Sequence, residues 1–174
     1  MMNIFADFDF ENFWDNNEYA QENYISEPLT DEMLSYVENE LGFKLPSDYV
    51  EFMSYQNGGI PKLNQFHFKN EYVGFKIIIT GILGIGETKD HSLLGEFGQE
   101  LWIDEWEYPN DCVYFADTIT GGHDMIAFDY SECGNNGEPS VVHIDQEGDY
   151  EKTFLAKDFA TFVKGLKHDD DFDD

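Results

Sequence analysis

Apolar residues recur every three or four positions in the stretch LTDEMLSYVENELGFKLP, where Met33, Leu34, Val37 and Leu41 form one stripe. That spacing predicts an amphipathic helix. Thr30 is a good N-cap, Asp31 and Glu32 suit the positive end of the helix dipole, and Gly42 stands where a terminating glycine is wanted. A second helix is predicted immediately afterwards in LPSDYVEFMSYQNGG. There Pro46 suits a first turn, Tyr49, Phe52 and Met53 share an inward face, and Gly58 and Gly59 end the element. The two helices make an αα-hairpin.

From about Phe66 the period changes. FHFKNEYVGFKIIITGILGIG predicts two or three strands with a turn near Asn70. In SLLGEFGQELWIDEWEYP, Leu94, Phe97 and Leu101 return to helical spacing and predict a helix from Ser92 to a stop before Pro109, weakened by Gly95 and Gly98. DCVYFAD, HDMIAFDY and SVVHID predict successive strands joined by Gly- or Pro-rich turns. Alternation in HDMIAFDY puts Ile126 and Phe128 on one sheet face and Met125 and Ala127 on the other. AKDFATFVKGL predicts a final helix aligning Phe159, Phe162, Val163 and Leu166.

The ends have a different pattern. Residues 1–28 set Phe5, Phe8, Phe10, Phe13, Trp14, Tyr19 and Tyr24 among acids and amides. Such a density of aromatics predicts an arm that packs Phe13, Trp14 and Tyr19 onto the body, with the first few residues loose. The acidic tail, residues 168–174, is expected to be solvated and disordered. No repeat or linker divides residues 29–167. The predicted fold is α+β: a single domain with an antiparallel or mixed sheet, flanked by an N-terminal αα-hairpin and a C-terminal helix.

Composition sharpens this picture. At 174 residues, 41% hydrophobic and 17% aromatic, the chain can bury a real core. The N-terminus has no signal-peptide pattern, and the apolar run IIITGILGIG is half the ~20 residues a membrane-spanning helix needs. A soluble cytoplasmic protein is expected. The two cysteines, Cys112 and Cys133, cannot form a disulfide framework or a four-thiolate zinc site.

Charge changes it more. Asp and Glu number 37 against nine basic residues, all Lys, for a formal net charge of −28. A chain without arginine and so acidic is a poor match for phosphate backbones or base edges, so no direct nucleic-acid binding is expected. The natural complement is a protein with a basic surface, because opposite fields steer encounter. Plain solubility is the competing explanation, but solubility surfaces intersperse both signs. Here residues 90–151 carry 16 acids and no Lys, and the first 29 residues carry seven acids and no Lys.

The stretch LTDEMLSYVENELGFKLPSDYVEFMSYQNGGIP resembles the SUKH superfamily, in its Smi/Knr-type branch. The resemblance rests on a helix ending in Leu-Gly, then Leu-Pro, an aromatic shortly after an acid-bearing turn, and a closing Asn-Gly-Gly. The arm segment FWDNNEYA and the second half, EWEYPNDCVYFADTITGGHDMIAFDYSECGNNGEPSVVHIDQEGDY, are similar to bacterial members, so the likeness runs from about Phe13 to Leu166. It implies a single sheet flanked by helices. It also implies an intracellular immunity protein that binds and neutralises a cognate toxin, often a nuclease. A eukaryotic branch instead organises cell-wall assembly through protein contacts. The family signature contains no catalytic constellation, and no enzyme activity, cofactor or metal is expected.

The residues that invite a chemical reading are weaker candidates. Were HDMIAFDY and SVVHID to form a hairpin, His143 would lie opposite Ile126 or Ala127, leaving His123 about 10–13 Å away at 3.3 Å per residue. Two imidazoles sharing zinc stand about 4 Å apart, so these two cannot share one. Cys133 and His143 lack a third group to orient the imidazole. TGILGIG matches no phosphate-loop spacing, and its glycines are expected at strand ends. His123 is expected at the mouth of its strand, its ring bonded to a turn carbonyl. Trp102 reads equally as core or anchor, whereas Trp106 leans towards the surface. The candidate partner-binding residues are Trp106, Glu107, Tyr108, Asp117, His123 and Asp124, aromatics beside like charges that suit a contact with a basic protein.

Overall fold

A computed structural model describes residues 3–69 and 74–168. The turn expected near Asn70, the first two residues and the acidic tail from residue 169 onward lie outside them. Six strands pair antiparallel in chain order: β1 (Gln65–Lys69), β2 (Gly74–Ile82), β3 (Cys112–Thr118), β4 (Asp124–Asp129), β5 (Ser140–Asp145) and β6 (Glu151–Ala156). The sheet is therefore a meander, antiparallel throughout. The predicted hairpin forms as α3 (Asp31–Leu41) and α4 (Ser47–Tyr55), and the last helix as α5 (Phe159–Lys164). Thr30 Oγ1 accepts the Met33 amide at 3.2 Å, and Gly42 takes the left-handed conformation at φ +79°. Among the described residues no helix is long and apolar enough to cross a membrane.

The two faces of the sheet bury different things. Ile126 and Phe128 of β4 join Ile77, Ile79, Val113, Phe115 and Val141 in a core closed by Tyr49, Phe52 and Met53 of α4 and by Phe159, Phe162, Val163 and Leu166 in and just after α5. Met125 and Ala127 point the other way, into a smaller cluster with Cys112, Tyr114, Val142, Ile144, Trp102 and Tyr108. The alternation expected in HDMIAFDY is thus the observed one.

The arm belongs to the larger core. It forms two short helices, α1 (Phe10–Phe13) and α2 (Glu18–Asn23), which the periodicity did not predict. Phe5 and Phe13 are buried, Phe5 packs edge-on to Phe52 with centroids 4.9 Å apart, and the Phe5 amide donates to Glu51 Oε2 at 3.1 Å. Tyr19 departs from expectation. It is 54% exposed, and its neighbour Tyr24 is the arm tyrosine that enters the body.

The structure departs from the sequence pattern in two further places. The strand β6 is absent from the sequence reading, because EKTFLA alternates weakly and Phe154 faces solvent. The helix expected from Ser92 to Pro109 is instead a run of turns ending in one π-helical turn, Leu101–Glu105. Its backbone donors go elsewhere: the Leu93 amide to Gly84 O at 2.9 Å, Leu94 to Gly86 O at 3.0 Å and Phe97 to Asp90 O at 2.8 Å. A Cβ on Gly95 would lie 2.0 Å from the Lys89 carbonyl, and one on Gly98 would lie 2.4 Å from the Ser92 and Leu93 carbonyls. Tight folding of the chain on itself outcompetes helical spacing here.

The Asn-Gly-Gly after α4 meets the glycines of TGILGIG directly. Asn57 Nδ2 donates to Glu27 O at 3.0 Å and to Ile85 O at 2.9 Å, while its Oδ1 accepts the Ile85 amide at 2.7 Å. Gly58, at φ +94°, lies so close to Gly84 that an added Cβ would stand 2.8 Å from the Gly84 nitrogen. Asn57 is 2% exposed, so its loss leaves backbone groups of two segments without partners. Asn57→Ala is expected to lower folding stability by about 2–4 kcal/mol, read from urea denaturation, since each orphaned buried group costs about 1–3 kcal/mol.

Candidate protein-binding site

The segment from Gln99 to Asn110 lies over the smaller cluster, on the sheet face opposite α3–α5. The Gln99 side chain anchors it to β3, donating to Cys112 O at 2.6 Å and accepting the Tyr114 amide at 3.0 Å. β2 pairs with β3 only at residues 116–118, so this amide takes the ladder positions that β2 leaves open. Tyr108 is buried, with its hydroxyl donating to Gly122 O at 2.6 Å and its ring edge-on to Trp102, Tyr114 and Tyr150. The Tyr150 hydroxyl in turn donates to the Trp106 carbonyl. These contacts aim the rest of the segment outward. Trp106 is half-buried and meets the His123 ring edge-on at 5.7 Å. Glu107 is exposed and adopts φ +61°, a conformation that non-glycine residues take infrequently.

The six candidates therefore fall into three places. The half-buried Trp106 and the exposed Glu107 and His123 form one surface patch. Tyr108 is a buried prop beneath that patch and presents no surface of its own. Asp117 and Asp124 are drawn into hydrogen-bond networks. The expectation that the His123 ring bonds a turn carbonyl is replaced by a contact with a side chain: its Nδ1 lies 3.3 Å from Glu147 Oε1, with both side chains more than half exposed. Its backbone carbonyl, instead, accepts the Gln146 amide at 3.0 Å.

Asp124 escapes its dipeptide neighbour by reaching diagonally across the β4–β5 ladder. Ile126 opposes His143, so Asp124 and His143 share a face two positions apart. His143 Nε2 lies 2.6 Å from Asp124 Oδ2, while Thr118 Oγ1 donates to Oδ1 at 2.6 Å and Thr120 Oγ1 donates to the same oxygen. Burial alone would raise this carboxyl's pKa. The hydrogen bonds from His143, Thr118 and Thr120 outweigh it and hold the group below the usual carboxylate range. Both hydroxyls donate to the carboxylate and not to the imidazole, so the set lacks the hydroxyl–imidazole contact a nucleophile needs. Its role is to pin the ends of β3, β4 and β5 together. Sequence reasoning missed it by considering only neighbours and directly opposed residues.

Asp111, Cys112 and Asp129 bring three potential metal-ligand atoms within 4.8 Å of one another. Lys152 Nζ already lies 3.1 Å from Asp111 Oδ1 and 3.2 Å from Asp129 Oδ1. Burial pushes the Cys112 thiol's pKa up, keeping it a neutral sulfhydryl. An ammonium on both carboxylates and a protonated thiol make this an ion pair, not a cation cage.

Asp117 lines a groove of about 320 Å³ on the other side of the Thr120–Gly122 turn from His123. Its oxygens accept the Tyr24 hydroxyl at 3.0 and 3.2 Å, and His91 Nδ1 lies 3.2 Å from Oδ2. Burial and the adjacent carboxylate hold the Tyr24 hydroxyl's pKa far above the phenol range, so it stays a donor. His91 stacks flat on Tyr24 with centroids 4.3 Å apart and on Phe97 at 5.0 Å. Gly122 separates groove from patch while touching both: a Cβ there would stand 2.7 Å from the Trp102 ring and 3.2 Å from Trp106.

The chain matches the sequence model of the SMI1 / KNR4 family (SUKH-1) over residues 28–165. It belongs to that family, in agreement with the resemblance read from the αα-hairpin and its Asn-Gly-Gly. Membership supports a protein-binding role in general terms. A search of curated proteins found no match. The matched span leaves out the arm, including Tyr19 and Tyr24 of the groove.

Because the native Asp124 pKa is depressed, its stabilising effect is present above the unfolded value near 3.9 and is lost as pH falls through the lower folded value. Asp124→Asn is therefore expected to lower the urea midpoint at pH 7, with the gap from the parent protein closing as acidification protonates the parent's carboxyl.

Proposed function

We propose that this protein is an intracellular immunity protein that binds a cognate toxin domain of basic surface and neutralises it by occlusion. The observation that carries this reading is membership of the SMI1 / KNR4 family (SUKH-1), whose match spans the whole helix–sheet body. The charge distribution supplies the chemistry of the partner. Nine Lys stand against 37 acids, and Lys152, the one Lys adjoining the 90–151 stretch on its C-terminal side, is held internally by Asp111 and Asp129. The outward field of that half is correspondingly negative. A toxin that acts on nucleic acid carries a basic active-site face, and such a face is steered towards acids by long-range attraction.

Occlusion requires no bond to be made or broken by this chain. Trp106 offers a partly desolvated ring, with Glu107 and Glu147 alongside to meet partner cations. Aromatic anchors beside charges carry most of the energy in such contacts. A wall-assembly scaffold would use the same kind of surface, and gene context separates the two: a neighbouring long reading frame with a variable toxic C-terminal domain belongs with immunity.

Co-expression tests this reading. The C-terminal domain encoded next to this gene is expected to arrest growth alone and to be tolerated when this chain is co-expressed. Continued arrest, with no complex at micromolar concentration and low salt, would count decisively against it. For the isolated pair, the association rate is expected to fall roughly tenfold or more between low and near-molar salt, where the Debye length shrinks to about 3 Å. Trp106→Ala is expected to weaken the complex by about tenfold or more, the scale of an interfacial anchor.

A further inference from the structure

The groove beside the Thr120–Gly122 turn combines features that a solvent-facing surface seldom keeps together. Tyr19, Phe97 and Ile119 stand on its walls at 54%, 38% and 65% exposure. At its floor lies the Asp117 carboxylate, on a residue only 8% exposed. Apolar side chains facing water around a carboxylate are costly in an isolated protein, and are accounted for when a partner covers them.

We propose that this groove receives an arginine side chain of the protein partner, with the guanidinium on Asp117 and the aliphatic stem between Tyr19, Phe97 and Ile119. The assignment rests on the protein-binding reading above and adds the chemistry of one contact to it. Charge complementarity selects a cation: the described residues lining the groove include no Lys, and Asp117 is their carboxylate. That carboxylate is not saturated. An ionised carboxylate offers about four lone-pair sites, and among the described residues the Tyr24 hydroxyl is its one aligned side-chain donor. His91 Nδ1 comes within 3.2 Å but is off the line of a hydrogen bond and is buried without one. A guanidinium, with five N–H groups in a planar fork, can engage the carboxylate and still present a flat face to aromatic rings. Lysine's compact ammonium has neither the planar fork nor a flat face to stack on a ring.

The groove also depends on a segment outside the family match. Tyr24 supplies the hydrogen bond at the floor and Tyr19 a wall, and both come from α2 and its end, before residue 28. Gly81 makes room for this: a Cβ there would stand 2.1 Å from the Tyr24 ring. The arm thus completes a pocket that the family-matched body leaves half built.

Amide-resolved NMR titration of the full chain with N-acetyl-arginine methylamide at low salt tests the assignment. The neutral isostere N-acetyl-citrulline methylamide is the control. Saturable shifts are expected at Tyr19, Ile119, Gly121 and Gly122, with a Kd on the order of 10 mM, as befits one side chain. The citrulline compound and the Asp117→Asn variant are each expected to bind at least about fivefold more weakly, since both remove the charge pair and keep the shape. Phe97→Leu, at a partly exposed position, is expected to fold normally and weaken arginine binding about two- to threefold by removing an aromatic wall. If Asp117→Asn does not fold, Phe97→Leu and citrulline decide the matter. Absence of saturable shifts at these amides, an equal response to citrulline, or undiminished binding in the variants would overturn the proposal. Protection from the toxin without arginine binding removes the groove and leaves the immunity reading. Arginine binding without protection does the reverse.

Discussion

Asn57 holds together the parts of this protein that local sequence alone could not have joined. Its side-chain amide bonds Glu27 O, at the end of the arm, and both backbone groups of Ile85, just beyond the end of β2. Beside it Gly58 has no room for a side chain against the Tyr24 carbonyl and Gly84, and Gly84 has none against the Asn57 carbonyl. Buried amides of this kind are stabilising only when every group finds its partner, and here every atom of the Asn57 amide that faces the interior does. The consequence reaches the candidate surface. With the arm tied at Glu27, Tyr24 is set against Gly81, and its hydroxyl reaches Asp117 from 93 residues away in sequence.

The sheet then separates two tasks by face. On the α3–α5 side it carries a dense aromatic core in which Phe115, Phe128 and Phe159 pack around Tyr49. The opposite side is closed by an irregular segment, the one that carries Trp102, Trp106 and Tyr108 over Met125 and Ile144. Irregular cover on a rigid sheet is where recognition residues are commonly displayed, since loops vary without disturbing the strands beneath. Patch and groove meet at the Gly121–Gly122 turn, so a partner seated on Trp106 and His123 lies next to Asp117 as well.

Much of the fold was legible in advance, for reasons particular to its elements. The stripe Met33, Leu34, Val37, Leu41 and the caps Thr30 and Gly42 act within one helix, so nothing distant could override them. The alternation of Met125 to Phe128 named both faces of β4 because that strand is buried on both sides. Ser92 to Trp106 misled because its apolar residues keep helical spacing while Gly84, Gly86 and Asp90, distant or turned back, take its backbone donors. The candidate site was legible in part. Trp106, Glu107 and His123 do share a patch, but Tyr108 serves beneath it, and Asp124 turns to His143, a partner visible only once the β4–β5 register is known.

Composition and periodicity, by themselves, determined the class of this protein: an α+β domain, strongly acidic, with an αα-hairpin at its start. Each of those properties is local or additive, and can be summed along the chain. Tertiary structure alone decided which acids are surface and which are not. Asp117, Asp124 and Asp129 read identically to Glu107 in sequence, yet each is held by a partner from another strand or from the arm. A carboxylate's role depends on the donors within a few ångströms, and those come from residues that only folding brings near.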